Sequence, residues 1–175
     1  MTQIIAFRGV TPKIHHSVYI ASGSVIIGDV EIEQGSSIWP NCVIRGDVAK
    51  IRIGKKTNIQ DGSVIHVSRN GGDTIIGDEV TIGHMVLLHA CNIANRAFIG
   101  MGSIIMDKAT IESEAYVAAG ALVTNNKIVK SDQLWAGQPA KLMRAITEEE
   151  RKYMKISADN YCELAQEYIL DRHCE

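Results

Sequence analysis

Large aliphatic residues recur every six positions along most of this chain, and few folds can use that spacing. Counting from Ile14 gives Ile20, Ile26, Ile32, Ile38 and Ile44. The count steps nine residues to Ile53, continues through Ile59 and Ile65, steps eleven to Ile76, and continues through Ile82 and Leu88. One short step of five reaches Ile93, and the spacing then holds through Ile99, Ile105, Ile111, Val117 and Val123. Four residues after each anchor stands a small or β-branched residue, among them Val18, Ser24, Cys42, Val48, Ser63, Val80 and Ala97. After Val123 that slot falls on Lys127, so the repeat is expected to end there. A period of six does not match the 3.6 of an amphipathic helix; it describes very short strands separated by turns.

The interruptions reveal the cross-section. Grouped in threes, the anchors form sets beginning at Ile14, Ile32, Ile53, Ile76, Ile93 and Ile111, and every irregular step falls between sets. Insertions tolerated at one corner in three predict a three-sided solenoid. Coils of 18 residues would then stack as parallel strands about 4.8 Å apart. Gly28, Gly54, Gly77, Gly83 and Gly100, each directly after an aliphatic residue, are expected at the corners, where backbone freedom helps.

The expected fold is therefore all-β, a triangular solenoid over residues 1–142, followed by a helical tail over 143–175. Residues 125–146 read as an exit segment broken by Gly137-Gln138-Pro139. Thr147-Glu148-Glu149-Glu150 is a capping box with an acidic first turn, and Ser157 offers a second N-cap. Tyr161, Leu164, Ala165, Tyr168 and Ile169 form one helical stripe to pack on the solenoid.

Composition agrees with this and excludes some functions. Hydrophobic residues make up 46% of the chain but aromatics only 5%, which suits a small-residue aliphatic interior. Eighteen basic and twenty acidic residues leave a net charge of −2 with no basic block, so no nucleic acid partner is expected. No apolar run reaches the roughly 20 residues that span a bilayer, and MTQIIAFRGV has no charged lead or cleavage site. A soluble cytoplasmic protein with no membrane partner is the expectation. The four cysteines lack CxxC spacing and read as free thiols, with Cys42 a buried small-slot residue.

Coil arithmetic then places three histidines. His66 follows Ile65 and His89 follows Leu88, each opening the third side of its coil. They should stack in adjacent coils, close enough to share an ion with zinc–nitrogen distances of about 2.0–2.1 Å. His84 lies on the second side, five extended residues before His89, which is roughly 16 Å away. It can join the pair only from a neighbouring subunit, and a threefold homotrimer of prisms supplies that neighbour. His15, His16 and His173 show no such pattern and read as histidines without a task.

The period resembles the hexapeptide-repeat, left-handed parallel β-helix proteins, and the left hand is implied by that resemblance. A narrower one rests on RGDV at Arg45–Val48, NIQDGSVIHV at Asn58–Val67, IGHMVLLHACNI at Ile82–Ile93 and IGMGSIIMDKATI at Ile99–Ile111. These runs are similar to the gamma-class carbonic anhydrase-like family. The resemblance implies that His66, His84 and His89 ligate zinc, iron(II) or another divalent metal between subunits of a homotrimer. It implies that Arg45 and Asp47 form an intersubunit salt bridge, that Gln60 hydrogen-bonds the metal's water beside Asp61, and that carbon dioxide and bicarbonate are the substrates. Active members carry one glutamate directly after the RGD run and another after the first histidine; here Val48 and Ser68-Arg69-Asn70-Gly71-Gly72 replace them. A tail tyrosine, Tyr161, is the candidate to stand in for that proton relay. The alternatives are a coenzyme A-dependent acyl- or acetyltransferase, since that chemistry shares the fold, and a non-catalytic metal-containing assembly protein.

Overall fold

The computed structural model describes residues 1–70 and 72–171. The expectations placed on Gly71, His173 and Cys174 lie outside the described residues. The chain winds as a left-handed parallel β-helix of about seven turns and finishes in one helix, Glu148–Asp171.

The registers follow the six-residue count. On the first side Ile14 pairs with Ile32, Ile32 with Ile53, Ile53 with Ile76, Ile76 with Ile93 and Ile93 with Ile111. On the third side Ile44, Ile65, Leu88, Ile105 and Val123 stack in the same way. All three irregular steps fall at the corner between the third and first sides. The strand Val43–Ile53 runs through that corner unbroken, and the insert after His66 closes on itself through paired Ser68 and Gly72. The anchors fill the interior: Ile26, Ile38, Ile44, Ile59, Ile65, Ile82, Leu88 and Ile99 are fully buried. Full burial of each such side chain contributes about 1.5–3 kcal/mol.

The small slots have a second task. Ser24, Ser36, Ser63 and Ser103 are buried, and their hydroxyls donate to the carbonyls of Trp39, Gly54, Gly83 and Ala118 at 2.6–3.0 Å. Serine recurs there because each corner leaves a carbonyl that would otherwise be buried without a donor. The corner glycines owe their place to crowding more than to freedom. Gly28 has a positive φ of 76°, but Gly54, Gly77, Gly83 and Gly100 do not. A Cβ on Gly54 would lie 2.5 Å from the backbone of Gly77 in the next coil. The left-handed turn positions themselves carry Lys56, Glu79, Met85 and Arg96.

Two sequence expectations need correction. The repeat does not stop after Val123: Ile128–Val129 pairs with Thr110–Ile111, and Gln133–Ala136 pairs in parallel with Tyr116–Val117. Lys127 leaves the coil intact because its side chain is exposed while its backbone still closes the turn on Thr124. Lys141–Ala145 then folds back antiparallel on Gln133–Ala136. Ser157 caps nothing; it sits inside the continuous helix, where its hydroxyl accepts from Thr81 at 3.5 Å. The helix begins at the capping box, with Thr147 N–H donating to Glu150 and Glu150 N–H donating to the Thr147 hydroxyl.

The three sides differ outward. The first carries charge, with Glu31 accepting from Lys13 and Arg52. The second is covered by the helix, which buries Tyr19, Ser37, Asn58, Thr81 and Phe98. Ala165 is buried against this side with Tyr161 and Ile169 packed beside it, and Tyr168, although partly open to solvent, sets its ring 5.4 Å from Tyr19 and 5.5 Å from Trp39, while Leu164 remains exposed. The third presents an apolar row of Val25, Val43, Val64, Leu87, Ile104 and Leu122, stacked by register, and among the described residues no element lies over it. Among the described residues no helix is long and apolar enough to cross a membrane.

Candidate metal centre

His66 and His89 are register partners at the ends of the neighbouring strands Val64–His66 and Leu87–His89. Their ring centroids are 5.2 Å apart and the rings are tilted by 51°. Arg45 precedes His66 in the same column, one coil earlier. The irregular corner is therefore where one arginine and two imidazoles emerge side by side. Each half-buried histidine also meets a carboxylate: His66 Nε2 lies 2.9 Å from Asp47 Oδ1, and His89 Nδ1 lies 2.6 Å from Asp107 Oδ1.

Asp47 is held from its other side by Arg45, and both partners belong to this chain. Partial burial pushes the Asp47 carboxyl up, but the His66 and Arg45 hydrogen bonds outweigh it and hold it below the usual carboxylate range. The Asp107 carboxyl is also held low, first by the His89 hydrogen bond and further by the Ser68 hydroxyl. Asp107 is the functional candidate that sequence reasoning missed. Its signal was present, since it lies 18 residues, one coil, after His89.

The third histidine stands elsewhere. His84 belongs to the turn between the second and third sides, and its Nδ1 lies 2.9 Å from Asp61 Oδ2. It lines a cleft of about 230 Å³ between the solenoid and the helix, together with Gln60, Phe98, Tyr116, Tyr153 and Tyr161. Gln60 is buried and its amide nitrogen donates to Asn58 Oδ1 at 3.0 Å, while Asn58 donates to the Thr81 hydroxyl. Burial pushes the Tyr161 phenol up, and the Asp61 charge adds to it. The chain thus brings Gln60, Asp61, His84 and Tyr161 together on one corner, and Arg45, Asp47, His66 and His89 on another. Among the described residues of one chain, no group of three histidine, cysteine or acidic side chains is placed to hold a metal.

Residues 11–46 match the model of the bacterial transferase hexapeptide (six repeats). The carbonic anhydrase of Geobacillus kaustophilus is 45% identical over 94% of this chain and 90% of its own length. The chain belongs to the gamma-class carbonic anhydrase-like family. The mitochondrial gamma carbonic anhydrase 2 of Arabidopsis thaliana is 45% identical over 89% of this chain, which spans only 58% of that protein's length. A hexapeptide transferase family protein from Anaplasma phagocytophilum superimposes with a TM-score of 0.92 at 51% identity, covering 95% of this chain and 98% of the other. Relatives of this family thus carry both hydration and transfer names.

Within the family pattern, the departure at Val48 is structural as well as chemical. Val48 is partly buried and packs against the core cluster, on the wall of a cleft that also includes Asp47 and Asp73. The described cysteines take no part in the site. Among the described residues Cys42, Cys91 and Cys162 are free. Burial pushes the Cys42 thiol up to about 11 and that of Cys91 to about 12, which leaves both as unreactive core residues.

Proposed function

We propose that this chain is a metal-dependent carbonic anhydrase of the gamma class, active as a homotrimer whose three sites lie between subunits. The observation that carries the reading is the division of the site: a stacked histidine pair on one corner and a histidine with Gln60 and Tyr161 on another. The uncovered apolar row on the third side runs alongside the histidine pair, with Val64 and Leu87 two residues before His66 and His89, and packing it against a second copy would remove it from water. Val64 and Leu87 are 38% and 37% exposed in the single chain, where solvent-facing strand positions are more often polar.

The donor set fits a divalent metal. Three imidazoles suit zinc or iron(II), and each has one ring nitrogen on a carboxylate, so the other is free to ligate. His66 and His89 of one subunit with His84 of the next would hold the ion. A metal bound there supplies Lewis-acid activation of water, lowering its pKa towards about 7. Gln60 would orient the water through its side-chain amide, which Asn58 fixes in place. Arg45 balances the charge of Asp47 and keeps that carboxylate on His66. Bicarbonate is the product expected from carbon dioxide. Tyr161, near Asp61 in the same cleft as His84, is the chain's candidate for moving a proton out.

The structural likeness to a transferase-named protein favours a second reading, acyl transfer from coenzyme A. Metal analysis of protein purified aerobically and anaerobically, with a carbon dioxide hydration assay on the same samples, separates them. One ion per chain and metal-dependent hydration are expected. Protection by coenzyme A in metal-free protein, with no hydration, would reverse the order. Metal without either activity would leave a non-catalytic assembly protein.

A further inference from the structure

We propose that Asp107 is a positioning residue for the hydration site: it fixes the tautomer and ring orientation of His89 and ties the loop after His66 to that ligand. The inference rests on the metal reading above. Asp107 comes from the next coil, and its Oδ1 lies 2.6 Å from His89 Nδ1. An ionised carboxylate can only accept, so the imidazole proton lies on Nδ1 and Nε2 is left bare to ligate. A neutral imidazole in water prefers the opposite tautomer, so this contact selects the ligating form before a metal arrives.

Asp107 is itself held. The Ser68 hydroxyl hydrogen-bonds its carboxyl, and Ser68 opens the small loop that follows His66. The carboxylate therefore bridges the segments carrying the two stacked histidines. A purely structural role fits less well, because the corner closes without it. Lys108 N–H donates to the Ala90 carbonyl at 2.7 Å, and Asn126 N–H donates to the Asp107 carbonyl at 3.1 Å. Both are main-chain bonds that a change of side chain leaves in place. Asp47 and Asp61 make the same kind of contact to His66 and His84, so with Asp107 each ligand has its own carboxylate.

The test compares the intact protein with Asp107→Ala, Asp107→Asn, Ser68→Ala and, as a control, His89→Ala. Zinc retention is read by competition with a chelator, and the His89 tautomer by imidazole ¹⁵N shifts in the metal-free protein. Asp107→Ala should weaken zinc retention about 10–100-fold, leave the melting temperature of metal-free protein nearly unchanged, and move the His89 proton to Nε2. Asp107→Asn, whose amide oxygen still accepts from Nδ1, should recover most of the affinity. Zinc held by Asp107→Ala within about twofold of the parent would overturn the proposal, and so would an unchanged tautomer. Where Asp107→Ala does not fold, Ser68→Ala decides: it should loosen zinc by a few-fold, and unaltered retention counts against the bridge. A parent that binds no zinc at all would remove the metal reading, while the ¹⁵N measurement still judges the Asp107–His89 contact separately.

Discussion

If the site is shared, two inactive variants should repair each other in a countable way. His66→Ala removes half of the stacked pair, and His84→Ala removes the histidine on the other corner, so each variant alone should lose its metal. In a mixed trimer, a site is complete only where a subunit with His66 and His89 meets a neighbour that has His84. Either composition of a mixed trimer contains one such junction, so about one site in three is whole. Random assembly from equal amounts makes about three quarters of trimers mixed, so the whole population should regain about one quarter of the parent's metal and activity. The structure makes the expectation sharp because both variants leave the interior ladder untouched; the imidazoles point away from the core that Ile65, Ile82 and Leu88 fill. The assay is metal content and hydration rate after refolding or co-expressing differently tagged chains, with mixed trimers isolated through both tags. Zero recovery in verified mixed trimers would refute ligands that cross the interface. Recovery well above one site in three would point to exchange of subunits or to a site held by fewer histidines.

Four other outcomes are expected. Leu87→Glu, on the uncovered apolar row, should shift sedimentation from trimer to monomer while the metal-free chain melts at nearly the parent temperature. Val48 and the loop after His66 supply no relay carboxylate, so small buffers such as imidazole should raise kcat and leave kcat/KM unchanged, and Tyr161→Phe should lower kcat further. Thr147→Ala should cost about 1 kcal/mol in denaturant unfolding through loss of the helix cap. At the same cap, the Arg144 and Thr147 hydrogen bonds hold the Glu150 carboxyl down at about 2, so its contribution is full above the unfolded-state carboxylate range and fades as pH falls towards 2. The stability gap between the parent and Glu150→Gln should accordingly close on acidification, and a gap that widens would contradict the assignment.

Much of the fold was legible because the repeat encodes register directly. Each aliphatic anchor names its partner one coil later, and the irregular steps name the corner that tolerates change. What escaped were features set by contacts between coils. Lys127 looked like a stop because the small slot is usually buried, yet a long side chain can leave a corner that the backbone still closes. Ser157 looked like a cap because serine favours that role, but the helix continues and turns its hydroxyl to Thr81. The glycines signalled a crowded neighbour more than a special φ, which only the coil spacing reveals. The histidine pair was visible from counting alone. Asp107 escaped notice because its signal lies in the 18-residue step to His89, not in any pattern among the histidines themselves.

The three outward surfaces explain why a chain of this kind would work between subunits. A stacked ladder has a straight, rigid edge, so two residues in one column meet readily, but those on different corners of one coil face apart. Side chains of the second side are taken up by the helix, and the first side is charged. Among the described residues only the third is apolar and bare, and it runs from the turn that carries His84 to the corner that carries His66 and His89. A copy docked there by a threefold axis would bring one edge of the row to the other edge of its neighbour, which is the motion that joins the two half-sites. On this argument assembly and metal binding share one surface. Metal should therefore stabilise the trimer, and dilution should release metal from any variant whose apolar row is weakened.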